Sequence, residues 1–435
     1  MINYIFLLHE FSRQADVVMS VEMDYFNWNV SYPAIVICPS DKIDEDALLI
    51  FVNQSLEKTG LNLEQYIRSI ATVSLESVHN LEVPDLNVLP FIKPEDYAGI
   101  SALLFKKFEK HFLSTSFNWP ISVEDSMTEM GMCHIINSNV ASFDNPSKWS
   151  DSELAYTKNN IELSFHDRDF YVEIMNYADS YKVYTSNPDD ITLCGSDSIT
   201  LDMEGFLSFG VQISSTRTSE DLHDLSINLR KCRFHYERYY QRYPFYTYNV
   251  CLLECRIKMI LKLCGCVPHF YKPLAHDRIC NLDELRCLLY YKRELMTLSA
   301  SNETLDKFDM NIKGLPRTSR NCGCLGNCDG DVYQKDREDF LSQDSTNRVR
   351  ISITKFPKVR VMREIIFSFY DIILRSGGVV NLCIGTSFIS IMELILIVIR
   401  YQINQIIQLF KFIYLKAKTS VHIKSISTRT LKIKT

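Results

Sequence analysis

The chain has 435 residues, 46% hydrophobic and 12% aromatic, with only 14 Gly and 13 Pro, which excludes disordered, collagen-like and low-complexity classes. Its 47 basic and 53 acidic residues give a formal charge of −6, so there is no overall basic excess of the kind a nucleic-acid partner attracts. Fourteen cysteines, ten of them between Cys232 and Cys328, suit an oxidising compartment in which disulfides brace an extracellular module.

Met1 to Leu8 is apolar, but eight residues as helix span about 12 Å, short of a bilayer, and neither a basic leader nor a cleavage site flanks them. The expectation is that residues 1–12 are the remnant of a first transmembrane helix. Ser20 to Pro39 alternates as a strand, ending in the β-rich run Tyr32-Pro-Ala-Ile-Val-Ile-Cys38-Pro39. Asp41 to Thr72 and Pro94 to Leu113 show helical spacing, with Pro94 suited to a first turn. Gly131-Met-Cys133 and Asn137 read as turn-prone. Strands are expected at Phe170–Ile174 and Phe206–Ser214, with Cys194 in a loop between them and a short helix at Leu222–Leu229.

In the helical stretch Cys251 to Cys264, Cys251 and Cys255 are four apart and share one face, while Cys322 and Cys324 share one face of an extended segment. Four helical residues rise about 6 Å and two strand residues about 6.6 Å, so the pairs match as two rungs. Cys251 with Cys324 and Cys255 with Cys322 is one solution, and the parallel pairing is the other. Val349–Val361 reads as a return strand and Met362–Leu374 as a helix approaching the bilayer. Sequons at Asn29, Asn53 and Asn302 are candidate glycosylation sites.

From Val379 to Ile399 there are 21 residues with one formal charge, Glu393, long and apolar enough to cross about 30 Å of hydrocarbon. Gly385, Thr386 and Ser387 interrupt the run, flanked by Asn381 and Ser390. Polar groups at membrane depth usually face a water-filled path, and a glycine there allows the backbone to leave helical geometry and offer carbonyls to an ion. Beyond Glu393 the chain carries eight basic residues and no acidic one, so residues 401–435 are expected as a cytoplasmic tail and 13–364 as the extracellular domain, with 365–400 between them as pre-pore segment and pore-lining helix. An enzyme is not expected: no Gly-x-Ser-x-Gly elbow or zinc-protease histidine motif occurs. Nor is a metal centre, because the clustered thiols are too many for one zinc site on an extracellular module.

Several of these motifs together resemble the degenerin and epithelial sodium channel family, most closely its arthropod pickpocket branch. They are Tyr32-Pro-Ala-Ile-Val-Ile-Cys38, Gly131-Met-Cys-His134 with Asn137, Arg230-Lys-Cys232 with Glu237, Cys251-Leu-Leu-Glu-Cys255, Cys264-Gly-Cys-Val-Pro268 with Phe270-Tyr271, Cys322-Gly-Cys-Leu325 with Cys328 and Tyr333, and Gly377-Gly378 with Gly385-Thr-Ser387 and Glu393. The resemblance implies an α+β membrane protein: a disulfide-rich extracellular β-core with peripheral helices and, in the family, two transmembrane helices per subunit. It implies an amiloride-sensitive type of sodium-selective channel in the plasma membrane, with sodium as permeant ion, no cofactor, and a homo- or hetero-trimer of related subunits. Gly385, Thr386 and Ser387 would form the selectivity filter, with Leu374, Gly377, Gly378, Asn381 and Glu393 lining or gating the pore.

The resemblance further implies the bridges Cys38–Cys194, Cys232–Cys328, Cys251–Cys324, Cys255–Cys322, Cys264–Cys287 and Cys266–Cys280, leaving Cys133 without a partner. The chain departs from the family's pattern at Leu374, where a small residue is usual, at Asn381, where glycine is usual, and at Gly326 in place of a proline. The competing expectation is a single-pass receptor or adhesion protein, or a non-conducting auxiliary subunit, with a disulfide-braced ectodomain.

Overall fold

The structure, a computed structural model, describes residues 17–55, 63–81, 92–116, 119–151, 154–167, 169–202, 205–299, 322–342, 347–366, 371, 374, 377–378 and 388–431. The chain divides into two compact units, one of Val17–Glu364 and one that holds the C-terminal segment from Ile365.

Two sheets organise the larger unit. The first is seven-stranded and is built on β11 (Gly205–Thr218). Along one edge β11 runs parallel first to β15 (Asn347–Lys355) and then to β16 (Arg360–Ile365); along the other it pairs antiparallel with β14 (Gly330–Leu341). β1 (Val17–Glu22) continues the sheet beyond β16, and β8 (Tyr171–Met175) and β4 (Leu113–Thr115) continue it beyond β15. The second sheet is five-stranded, in the order β10 (Ser198–Leu201), β9 (Tyr181–Ser186), β3 (Ala34–Pro39), β6 (Gly131–Ile136) and β5 (Val123–Thr128). Two minor ladders, β2 (Asn29–Ser31) with β7 (Glu162–Ser164) and β12 (Cys232–Arg233) with β13 (Gly326–Asn327), complete the strands.

Period-two alternation explains how the sheets meet. On β3, Ile35 and Ile37 enter a core shared with Val172, Ile174, Leu207, Phe209, Val211, Val349 and Ile351 of the first sheet. Ala34, Val36 and Cys38 turn to the opposite face, against Met130, Cys133, Ala141 and Tyr184. Every residue of β3 and of β6 is therefore buried. Tyr32, fully buried just before β3, donates its hydroxyl to the Ile351 carbonyl at 2.8 Å and tethers the sheets.

Helices flank this core. The periodicity over Asp41–Thr72 resolves into α1 (Glu45–Ser55) and α2 (Leu63–Thr72), and α2 buries Leu63, Tyr66, Ile67, Ile70 and Ala71 on one side. α3 (Tyr97–Leu103) follows a helical turn at Pro94–Asp96. α4 (Tyr248–Cys264) is the longest helix among the described residues of the larger unit, and α5 (Arg286–Tyr290) and α6 (Lys292–Thr297) pack near it.

Four expectations are corrected. Pro94–Leu113 is not one helix: after Leu103 the chain becomes extended, and Phe105 bridges to Ile43. Gly131–Cys133 is not a turn but the start of buried β6, although both Gly131, at φ 89°, and Asn137, at φ 58°, take positive φ as turn residues do. The return strand is two strands, because Phe356-Pro357 interrupts the ladder and proline supplies no N–H. Met362 to Ile365 lies on β16 rather than in a helix, since β11 takes the backbone of residues 360–363 in parallel register.

The expected bridge Cys38–Cys194 is also corrected. Cys38 is bonded to Cys133, with Cα atoms 4.5 Å apart, and Cys194 is the free thiol among the described residues. Register is the reason: β3 and β6 pair Ile37 with His134, so Cys38 and Cys133 are the next residues opposite each other, at the separation of a non-hydrogen-bonded antiparallel pair. Cys194 instead has its N–H held by Glu129 Oε2 at 2.8 Å.

Candidate pore segment and ectodomain sites

The C-terminal unit contains α7 (Phe388–Leu431). Within it Met392–Lys411, 20 residues, is the one stretch among those described that is long and apolar enough to cross a membrane, by length and composition. No part of that window is buried, and Leu394, Leu396, Ile397, Ile403, Ile406, Leu409 and Phe410 all stand open. An apolar surface this long must be covered by lipid or by other helices. Glu393 lies on α7 and is exposed. Leu374, Gly377 and Gly378 are helical; Asn381, Gly385, Thr386 and Ser387 lie outside the described residues, as does the sequon at Asn302. Asn29 and Asn53 are exposed, on β2 and α1.

In the larger unit the cysteine motifs become a brace on α4. Thr247 caps the helix by accepting from Val250 N–H at 3.1 Å, and Gly265 ends it at φ 73° with its N–H on the Leu261 carbonyl. Positive φ at Gly265 turns the chain sharply, so Cys264 and Cys266 reach different partners, Cys287 and Cys280. Two rungs, Cys251–Cys324 and Cys255–Cys322, fasten the helix face to the segment 322–324, and Cys232–Cys328 closes the stack.

The other motif residues have structural partners. Arg230, nearly buried, clamps the Cys232 carbonyl at 3.1 Å, pairs with Glu237 and stacks over Phe234 at 4.7 Å. Asn137 donates to the Tyr32 carbonyl at 2.7 Å and accepts from Ile161 N–H at 2.8 Å, and the left-handed backbone that asparagine tolerates permits both. Tyr333 donates to the Ser31 carbonyl at 2.7 Å.

Buried charge is the feature that motif reading misses. Arg242 lies between Glu254 and Asp277, all three within a few per cent of full burial. Glu129 receives Arg256 and the Tyr271 hydroxyl, the latter at 2.8 Å. Asp190 accepts from the Thr247 hydroxyl at 2.5 Å and from Ile191 N–H at 2.8 Å, which ties the turn after β9 to the cap of α4. Burial pushes the Asp190 carboxyl up to about 7 and that of Asp144, held by Tyr243, up to about 6. An Asn-Pro-Asp-Asp turn is legible in sequence; nothing in it signals that its second aspartate is enclosed.

The family model for the amiloride-sensitive sodium channel matches residues 1–397, which takes in both sheets, the cysteine brace and the polar interruption of the apolar run. The chain belongs to that family. Similar proteins include Pickpocket protein 11 of Drosophila melanogaster, 27% identical over 196 residues, covering 41% of this chain and 34% of that protein. Sodium channel protein Nach of Drosophila virilis is 22% identical over 244 residues, 54% of this chain and 60% of that protein. Pickpocket protein 19 of Drosophila melanogaster is 22% identical over 439 residues, 91% of this chain and 81% of that protein. The matches to the first two thus span about one third and three fifths of those proteins' lengths. The resemblance to the pickpocket branch and the disulfide-rich, β-rich fold with helices are both as the sequence motifs imply.

Proposed function

We propose that the chain is a pore-forming subunit of a gated, sodium-selective cation channel in the plasma membrane, assembled as a trimer with copies of itself or with related subunits. The observation that carries this reading is that the family match, residues 1–397, takes in the polar interruption at residues 385–387 and Glu393 as well as the cysteine-rich unit. In a trimer, three Gly385-Thr386-Ser387 segments would offer hydroxyls and carbonyls to a dehydrating sodium ion, and three Glu393 carboxylates would concentrate cations near the path. Val17–Glu364 would lie outside the cell, where a disulfide-braced fold persists, and the basic tail inside.

The test is expression in oocytes, alone and with related subunits, with surface delivery verified by labelling. An amiloride-blocked current whose sodium-to-potassium permeability ratio falls severalfold on Ser387→Leu supports the reading. Surface protein that carries no current in any combination overturns it in favour of an auxiliary or receptor role.

A further inference from the structure

α1 buries Leu48 and Val52 on one side and leaves Leu49 and Ile50, at 53% and 59% exposure, standing open on the other. Two large aliphatic side chains next to each other on a solvent-facing helix differ from the single apolar residues that any surface carries, and they call for a cover. One turn further along the same face stands Asn53, also exposed, the acceptor of the sequon Asn53-Gln54-Ser55. At about 100° per residue, Asn53 falls about 40° round the helix from Leu49 and about 60° from Ile50, between the two. Helical side chains lean toward the N-terminus, so a group attached to the Asn53 amide starts out over the preceding turn, where Leu49 and Ile50 lie.

The face is apolar in the middle and polar at both ends. Asp46, likewise exposed, lies on it one turn before Leu49 and Ile50 and offers a carboxylate to hydroxyl donors. A pyranose ring matches this order, because it presents an apolar C–H surface rimmed by hydroxyls. A protein partner seated on Leu49 and Ile50 would instead have to enclose the Asn53 amide and the Asp46 charge, at the cost of desolvating both.

We propose that Asn53 carries an N-linked glycan and that its first sugars are the cover of Leu49 and Ile50. The proposal rests on the extracellular placement of Val17–Glu364 given above, since the sugar is transferred on the lumenal side of the secretory pathway. The donor is an oligosaccharide joined to a lipid through pyrophosphate. Asn53 Nδ2 attacks the anomeric carbon of the first sugar; the bond from that carbon to nitrogen forms as its bond to the pyrophosphate oxygen breaks. The lipid pyrophosphate leaves, the amide gives up one proton, and nothing is oxidised or reduced.

The experiment expresses the full-length chain in human cells and purifies it in nanodiscs. Digestion of the folded protein with an N-glycosidase in heavy-oxygen water converts each glycosylated asparagine to a mass-tagged aspartate, read by mass spectrometry at Asn53 and at Asn29, the other exposed sequon. Asn53 should be tagged in most molecules. Hydroxyl-radical footprinting before and after the digestion reads the cover: labelling of Leu49 and Ile50 should rise severalfold, while that of Tyr290, 76% exposed on α5, should stay constant. Asn53→Gln should show the higher labelling from the outset. An untagged Asn53 beside a tagged Asn29 overturns the assignment and leaves the extracellular placement standing, whereas two untagged asparagines overturn both. A tagged Asn53 whose removal leaves the labelling of Leu49 and Ile50 unchanged overturns the sugar as their cover.

Discussion

At the scale of single residues, the ectodomain holds more charge in its interior than its motifs announce, and that charge makes stability depend on pH. Asp190 and Asp144 bind protons more tightly folded than unfolded, where an aspartate titrates near 3.9. Each therefore contributes stability that is fully present below about pH 4 and is lost as pH rises through about 7 and about 6 respectively. Asp190→Asn should flatten the decline of the unfolding midpoint between pH 5 and 8, as followed by circular dichroism; an unchanged slope would show that Asp190 is not the group responsible. Arg242 illustrates the converse case. Arg242→Met leaves Glu254 and Asp277 buried without a counter-ion and should cost about 3–5 kcal/mol at pH 7.5. The loss should shrink at lower pH, because burial raises the Glu254 carboxyl above the usual carboxylate range and so favours its uptake of a proton. A chemical-denaturation series at pH 7.5 and at lower pH measures both effects.

At the scale of elements, α4 is the clearest case of a feature readable in advance, because a four-residue and a two-residue cysteine spacing can be matched by rise alone. Spacing left two pairings open, and the structure takes Cys251 with Cys324 and Cys255 with Cys322. The loops these bridges close are nested, spanning 73 and 67 residues, so the second constrains an already constrained chain. Converting Cys255 and Cys322 to serine together should therefore cost less than the ~4 kcal/mol that one such bridge gives in isolation, and calorimetry of the single-bridge and double-bridge knockouts would detect the non-additivity. Elsewhere the pattern misleads for identifiable reasons. β6 hides its strand character behind Gly131, and β14, with Lys335, Asp336, Arg337, Glu338 and Asp339 in succession, has no apolar alternation to find. It pairs through backbone along β11, and its charges suit an edge that must not recruit another chain. Phe356-Pro357 breaks a return strand that reads as continuous.

At the scale of the whole molecule, the division into a cysteine-rich unit and an apolar C-terminal segment is visible from hydropathy and cysteine placement, whereas the joining of Cys38 depends on register between strands 95 residues apart, which no local pattern reveals. Non-reducing peptide mapping should recover Cys38 linked to Cys133. Cys194, whose thiol is raised to about 11 by burial beside Glu129, should resist alkylation at pH 8 until the protein is unfolded. A Cys38–Cys194 peptide would contradict the register. The placement of β11 carries the last consequence. It is laddered along both edges, to β14 on one side and in turn to β15 and β16 on the other. Release of β15 or β16 frees only part of one edge, and release of β14 still leaves about half of its amides engaged by the other two. In deuterium, the protons of residues 206–217 should be among the last that the ectodomain surrenders, outlasting those of β14 at the rim, and the time course would trace the order in which the fold comes apart.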